Sequence, residues 1–337
     1  MFYFPFEKDI KMSYSIKNRD EIASSIRSKY IVLFPDGKEI DIDNKNKEIF
    51  LNKVDKYKDK ELKAFIISEH NKNKNNLEPP SIKEMQRQRL VDYEPASDSG
   101  HFRLYPKGNL IFELLKDWAY EIAVNRLNAL HIDTPLLFDW SDEEIRQQAG
   151  SFHENHYIVK TQVNSKKELI LRFSGDFGLF KVMKNAKVSY RHLPLRIYEF
   201  SKSFRYERSG SLSGLKRLRA FHMPDIHCFC SDIEQGWQEY EYLYKCYSDL
   251  ADGVDISYAI CFRICGDFYS RHKEKICRLL TYSNKPAYIE IFSEMKHYWI
   301  VKHEFQAIDC IGGSVQLSTV QLDIKDSNIY GIYHSDK

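Results

Sequence analysis

The sequence predicts an α+β domain: an antiparallel sheet with helices packed against it. Three observations point there. Six segments, at 168–174, 195–207, 218–230, 287–292, 297–309 and 318–324, read as strands. Few helical patterns come between them, so most neighbouring strands must turn back on themselves rather than cross over. The stretch from Ser209 to Gly214 carries the glycines and serines of a turn, which makes 195–207 and 218–230 a long hairpin.

The elements follow in chain order. Tyr30 to Phe34 reads as a strand, Pro35-Asp36-Gly37 as a turn and Lys38 to Asp43 as the returning strand. A short helix follows around Glu61–Glu69, and His70 to Leu77 is a polar, Asn/Lys-rich linker ended by Pro79-Pro80. This divides the chain into a small N-terminal α/β connector at 1–77 and a main domain at 78–337. In the main domain, Ile111, Leu114, Leu115, Trp118, Ile122 and Ala123 recur at helical spacing and predict a helix over 110–128 with one buried face. That helix leads into a strand-like segment, His131 to Thr134, stopped by Pro135. Trp237, Tyr240, Tyr244, Tyr247 and Leu250 line one stripe of a helix over 233–251, read as core rather than a platform for bases, and a further helix lies near 267–283.

Composition excludes several classes. With 43% apolar residues, the 337-residue chain can bury a sizeable core. No apolar run approaches the roughly 20 residues that span a bilayer, and the opening MFYFPFEKDIK is too short and charged for a secretory signal. Seven scattered cysteines do not read as a disulfide framework, so a cytoplasmic protein is expected. A net charge of +2 means that any nucleic-acid surface is a local patch, with Lys216, Arg217 and Arg219 the candidate.

The chemistry concentrates in 203–221. On a strand, residues i and i+2 share a face, so Arg205 and Glu207 are expected to point the same way, as are Arg217 and Phe221 across the hairpin. An arginine fork suits a phosphate or carboxylate, and an aromatic ring beside it suits a purine. An exposed hairpin with cross-strand ion pairs gives the same spacing.

The full string FRYERSGSLSGLKRLRAFHMPDIH (204–227) resembles motif 2 of the class II aminoacyl-tRNA synthetases, and its archaeal-type threonyl form in particular. The resemblance extends through EPPSIKEMQRQRLVDYEPASDSGHFRLYPKG (78–108), through a motif 1-like stretch at 110–135, through LPLRIYEFSKSFRYE (193–207) and through QLSTVQLDI (316–324). It implies a class II synthetase-like sheet flanked by helices, and ATP-dependent activation of threonine, with Mg2+, for transfer to tRNA(Thr). It also implies a homodimer through motif 1. By that resemblance Arg205 holds the α-phosphate, Glu207 the adenine end, Arg217 the outer phosphates, and Phe221 stacks on adenine. Asp225 binds the threonine amino group, Lys302 aids activation, Gln316 contacts ATP, and Thr319 and Gln321 line the site. Two readings from other classes stand beside it: a paralogue that keeps the fold and the tRNA and ATP contacts without aminoacylating, and an unrelated nucleotide-binding α+β protein.

The family's zinc, held by one cysteine and two histidines, reads the threonine hydroxyl. Here His227 matches the first histidine, but Asp176 stands at the cysteine position, exchanging a soft thiolate for a hard oxygen. The resemblance places the third ligand, motif 3, the anticodon-binding domain and the editing domain outside this sequence. Weak or absent zinc binding is the expectation.

Overall fold

The computed structural model describes residues 2–3, 26–42, 59–70, 80–150, 156–160, 167–295 and 297–335. Most of the expected linker at 70–77 lies outside them. In chain order the elements used below are β1 (Ser28–Leu33), β2 (Glu39–Asp41), α1 (Lys60–His70), α2 (Pro106–Tyr120), α3 (Glu143–Ala149), β3 (Glu168–Leu171), α4 (Asp176–Lys184), β4 (Leu195–Phe204), β5 (Ala220–Phe229), α5 (Ile233–Gly253), β6 (Tyr258–Cys265), α6 (Gly266–Ser283), β7 (Ala287–Phe292), β8 (Trp299–Ile308), β9 (Ser314–Asp323) and α7 (Asp326–Tyr330). All six strand candidates exist, trimmed by up to three residues at an end, except that the last begins four residues earlier, at Ser314. The chain divides into two compact units, Met1–Lys74 with Cys230–Lys325, and Asn75–Phe229 with Asp326–Lys337.

The first unit holds strands in the order β2-β1-β7-β6-β8-β9. All neighbours are antiparallel except β6 and β7, which run parallel from Ile260↔Ala287 to Cys265↔Phe292. Parallel neighbours need a crossover, and α6 supplies it. The opening segment is therefore an edge of this sheet, with β1 paired to β7 from Leu33↔Ala287 to Ser28↔Phe292. Helix α1 closes one face, where Val32, Phe34, Leu62, Phe65, Ile66, Ala259, Cys261 and Tyr288 form a buried cluster. On the other face the aromatic stripe of α5 packs as core. The rings of Tyr240 and Tyr244 lie 5.1 and 4.8 Å from that of His303 on β8. Burial pushes the His303 imidazole down to about 3, so it stays neutral there.

In the second unit β4 and β5 form the expected hairpin, ten residue pairs long from Leu195↔Phe229 to Phe204↔Ala220. Leu130 and His131 run parallel beside β4. Three strands, 137–139, 168–171 and 158–160, make a smaller antiparallel sheet.

The helix expected at 110–128 begins earlier, at Pro106, and passes into a wider π turn at Glu121–Arg126. Its start explains Pro106-Lys107-Gly108: the helix runs so close to Leu90 that a Cβ on Gly108 would sit 1.9 Å from the Leu90 carbonyl oxygen. The expectation of one buried face fails for most of its apolar stripe. Ile111, Leu114, Leu115 and Trp118 are 48, 59, 55 and 43% exposed. The helix instead packs inward through Phe112, whose ring meets those of Phe200 and His222 at 5.7 and 5.1 Å. Only Ala123 of the predicted set is buried. Spacing identifies an apolar face but does not say whether the chain's own core covers it.

Candidate functional site

The structure places the predicted site residues in two groups, one in each unit. The first lies on the β4–β5 hairpin. Directly opposed residues of an antiparallel pair share a face, so the pairs Ser203↔Phe221, Ser201↔Met223, Glu199↔Asp225 and Ile197↔His227 all project from one side. Phe221, Asp225 and His227 therefore stand along one face of β5.

A segment from Arg172 to Asp176 crosses that face and is pinned to it. The Phe204 amide donates to the Arg172 carbonyl at 2.7 Å, and Arg172 Nε donates to the Lys202 carbonyl at 2.9 Å. Arg205 Nε donates to the Phe173 carbonyl at 2.9 Å. At Gly175 a Cβ would meet Ser201 Oγ at 2.7 Å, so only glycine allows the approach without a shift. At the far end His227 Nε2 and Asp176 Oδ1 share a hydrogen bond of 3.0 Å, both residues being buried.

Alternation does not carry Arg205 and Glu207, because β4 ends at Phe204. The chain turns there, the Glu207 amide donating to the Arg205 carbonyl at 2.7 Å. Arg205 lies with its guanidinium carbon 5.1 Å from the centre of the Phe221 ring, so the pairing of cation and aromatic is present. Arg217 is likewise not on β5, which begins at Ala220; it sits in the turn and its Nη2 donates to Glu207 Oε2 at 2.8 Å. The expected basic patch separates. Arg217 is exposed, but Arg219 is buried, with Nε on the Glu207 carbonyl at 2.8 Å and Nη1 on Asp98 Oδ1 at 2.7 Å. Arg219 fixes the turn and is not a free phosphate ligand.

Sequence reasoning missed the ion pair beneath this face. Arg172 Nη1 donates to Glu199 Oε1 at 2.7 Å and to Thr134 Oγ1 at 2.6 Å, and the Thr134 amide donates to the same Glu199 oxygen at 2.7 Å. A charged residue inside each apolar run, LILRF and LRIYEF, was the available signal.

Asp176, Asp225 and His227 each offer a ligand atom, all within 4.8 Å of one another. Burial raises the Asp225 carboxyl, and neighbouring Asp176 adds to the rise against the opposing effect of His227. Burial alone would raise Asp176 too, but the hydrogen bond and charge of His227 outweigh it and hold that carboxyl below its ordinary value. Among the described residues no cysteine joins this group, and His227 bonds to Asp176 directly. The donors present do not fit a site of one thiolate and two imidazoles.

The second group lies on β8 and β9 of the first unit. Lys302 pairs with Gln321, Glu304 with Thr319, and Gln306 with Gln316. Of the four predicted residues, Gln316, Thr319 and Gln321 thus lie along β9, and Lys302 on β8 stands opposite Gln321. Glu304, not singled out in the sequence, binds Lys302 Nζ at 2.8 Å and lies 3.5 Å from Arg263 Nε. Burial acts to raise Glu304, but the charges of Lys302 and Arg263 prevail and bring it down to about 2. The bond to Glu304 thus fixes where the Lys302 side-chain nitrogen lies.

Residues 157–328 match the tRNA synthetase class II core domain (G, H, P, S and T). The threonine–tRNA ligase of Thermococcus kodakarensis is 37% identical over 317 residues, 93% of this chain and 49% of the relative. That of Methanococcus aeolicus is 38% identical over 299 residues, 86% of this chain and 47% of the relative. The chain spans about half the length of the curated relatives it matches. Among solved structures, the RNA binding domain of threonyl-tRNA synthetase from Cryptosporidium parvum Iowa II is similar in fold. Its TM-score is 0.64 at 19% identity, covering 75% of this chain and 63% of that one. Giardia lamblia prolyl-tRNA synthetase in complex with prolyl-adenylate gives a TM-score of 0.58 at 16% identity, covering 77 and 47%. With half its length matched by the domain, the chain belongs to the class II tRNA synthetase core family.

Proposed function

We propose that this chain is the catalytic core of a threonine–tRNA ligase, activating threonine with ATP and transferring it to tRNA(Thr). The observation that carries the reading is identity of 37 to 38% to threonine–tRNA ligases over about nine-tenths of the chain. The hairpin geometry supports it: Arg205 against Phe221, and Arg217 against Glu207, supply a cation over a ring and an ion pair around one turn.

In the proposed reaction, threonine's carboxylate oxygen attacks the ATP α-phosphorus in line. The bond to the bridging oxygen breaks, and pyrophosphate leaves with the Mg2+ that accompanies ATP. Such a step needs fixed positive charge and alignment more than acid–base chemistry. Arg205 is assigned to the α-phosphate and Lys302 to the activation step. Glu207 takes the adenine end, Phe221 stacks on the base, and Arg217 and Gln316 hold the rest of ATP. Asp225 accepts from the threonine ammonium, with Thr319 and Gln321 lining the site. Attack of a terminal tRNA ribose hydroxyl on the adenylate carbonyl then releases AMP. We retain 1–77 as the connector and 78–337 as the catalytic stretch in descent, and a cytoplasmic location. No helix among the described residues is long and apolar enough to cross a membrane. The test is ATP–pyrophosphate exchange with the twenty amino acids offered singly. Exchange stimulated by threonine above the others is the expected result; exchange driven by another amino acid sinks the threonyl assignment.

The exposed stripe of α2 is assigned to an isologous dimer interface. Four large apolar side chains on one helix are the kind of surface that a partner covers. Sedimentation should give about twice 39.9 kDa, and Leu114→Glu with Leu115→Lys should leave a folded monomer. A wild-type monomer at micromolar concentration counts against the assignment.

A further inference from the structure

Resting on the ligase reading, we infer that this chain holds its amino-acid pocket in shape without zinc: a direct His227–Asp176 bond, braced by Gln148 and Tyr330, fixes the side chains that a metal would otherwise fix. Asp176 is the first residue of α4. Its Oδ1 meets His227 Nε2 at 3.0 Å, and its Oδ2 faces the Gln148 amide nitrogen at 3.5 Å. The Gln148 carbonyl oxygen in turn accepts from the Tyr330 hydroxyl. Four side chains from α4, β5, α3 and α7 thus form one hydrogen-bonded chain, and Asp176, His227, Gln148 and Tyr330 are each at most 2% exposed. Packing repeats the connection: the Phe180 ring lies 4.9 Å from that of Tyr330 and 6.0 Å from that of His227.

Both oxygens of Asp176 already face protein donors. A metal inserted between Asp176 and His227 has to break the bond they share, and it gains a hard carboxylate where tight zinc sites of this kind use thiolate. A buried polar network that is satisfied by itself is rigid, because opening it exposes unpaired groups in a low-dielectric interior. Rigidity is what the pocket needs. Asp225, two residues before His227 on β5 and on the same face, keeps its place while the ring beside it cannot turn. Gln148 and Tyr330 are therefore positioning residues: they act through Asp176 and His227.

The test uses the full chain. It is equilibrated with zinc chloride, dialysed, and analysed for metal; threonine and ATP are then titrated calorimetrically with and without EDTA. The expected result is zinc far below one per chain and a threonine affinity that EDTA does not move. Tyr330→Phe and Gln148→Ala should each weaken threonine about tenfold, the scale of one buried hydrogen bond, with ATP affinity unchanged. Tyr330→Phe removes one oxygen only, so it keeps the test alive if Gln148→Ala unfolds. One retained zinc per chain, threonine binding that appears only with zinc, or no threonine binding under either condition overturns the inference. So do variants that shift ATP and threonine equally, since a merely structural role predicts that. Loss of ATP binding by the wild-type chain would instead count against the ligase reading.

Discussion

Arg205→Ala is expected to weaken ATP binding by about 2–3 kcal/mol, roughly 30- to 150-fold, the scale of a charged hydrogen-bonding partner lost from a phosphate. The side chain is held in advance: Nε is fixed on the Phe173 carbonyl, and the guanidinium lies against the Phe221 ring. A donor already oriented loses little entropy on binding, so its removal is felt almost in full. Arg205→Lys should recover only part of the loss, because an ammonium cannot hold the Phe173 carbonyl and present a planar fork at once. Phe221→Leu keeps an apolar contact and should cost less, about 1 kcal/mol. Calorimetric titration with ATP, backed by circular dichroism to show that the variants fold, decides the matter. An Arg205→Ala protein that binds ATP like the parent removes the assignment of this hairpin.

The reach of sequence reasoning is clear around this arginine. The motif string located the hairpin, and Phe221 lies on its second strand, opposite Ser203. Strand alternation, however, was the wrong reason to group Arg205 with Glu207, since both lie past the end of β4. What brings Arg217 to Glu207 is a turn, whose course depends on Arg219 bonding to Asp98, 121 positions away. Contacts of that kind leave no periodic trace. The same holds on α2, where the apolar period was legible but not its exposure, and at Glu304, whose partner Arg263 lies on another strand. The parallel β6–β7 pair was hidden for a different reason: the crossover helix and β7 were read, but β6 was not among the expected strands, and strand order is a property of the whole sheet.

Breaking the Arg172–Glu199 pair should give the largest loss of stability in the second unit. The two side chains are 2 and 6% exposed. Desolvation makes such a pair a modest net contributor when intact, yet removing one partner strands the other charge, at a cost of about 3–5 kcal/mol. Arg172→Met should therefore lower the thermal midpoint by roughly 6–20 °C, taking about 2–4 °C per kcal/mol. Glu199 would still accept from the Thr134 amide and hydroxyl, so some of its solvation need remains met and the lower end of that range applies. Arg172→Met with Glu199→Leu removes both charges. It should be more stable than Arg172→Met alone, giving a double-mutant cycle with a clear coupling energy. The consequence for binding is separate. Arg172 fastens the segment that carries Phe173 and Asp176, and Glu199 stands opposite Asp225 on the neighbouring strand. Threonine and ATP affinities measured well below the midpoint, where the variant is folded, should both fall, because Asp176 and the Phe173 carbonyl that holds Arg205 lie on the segment that Arg172 fastens. If Arg172→Met melts within 1–2 °C of the parent, a spread usual for surface changes, then the pair is not buried as described and the loop over the hairpin is held by something else.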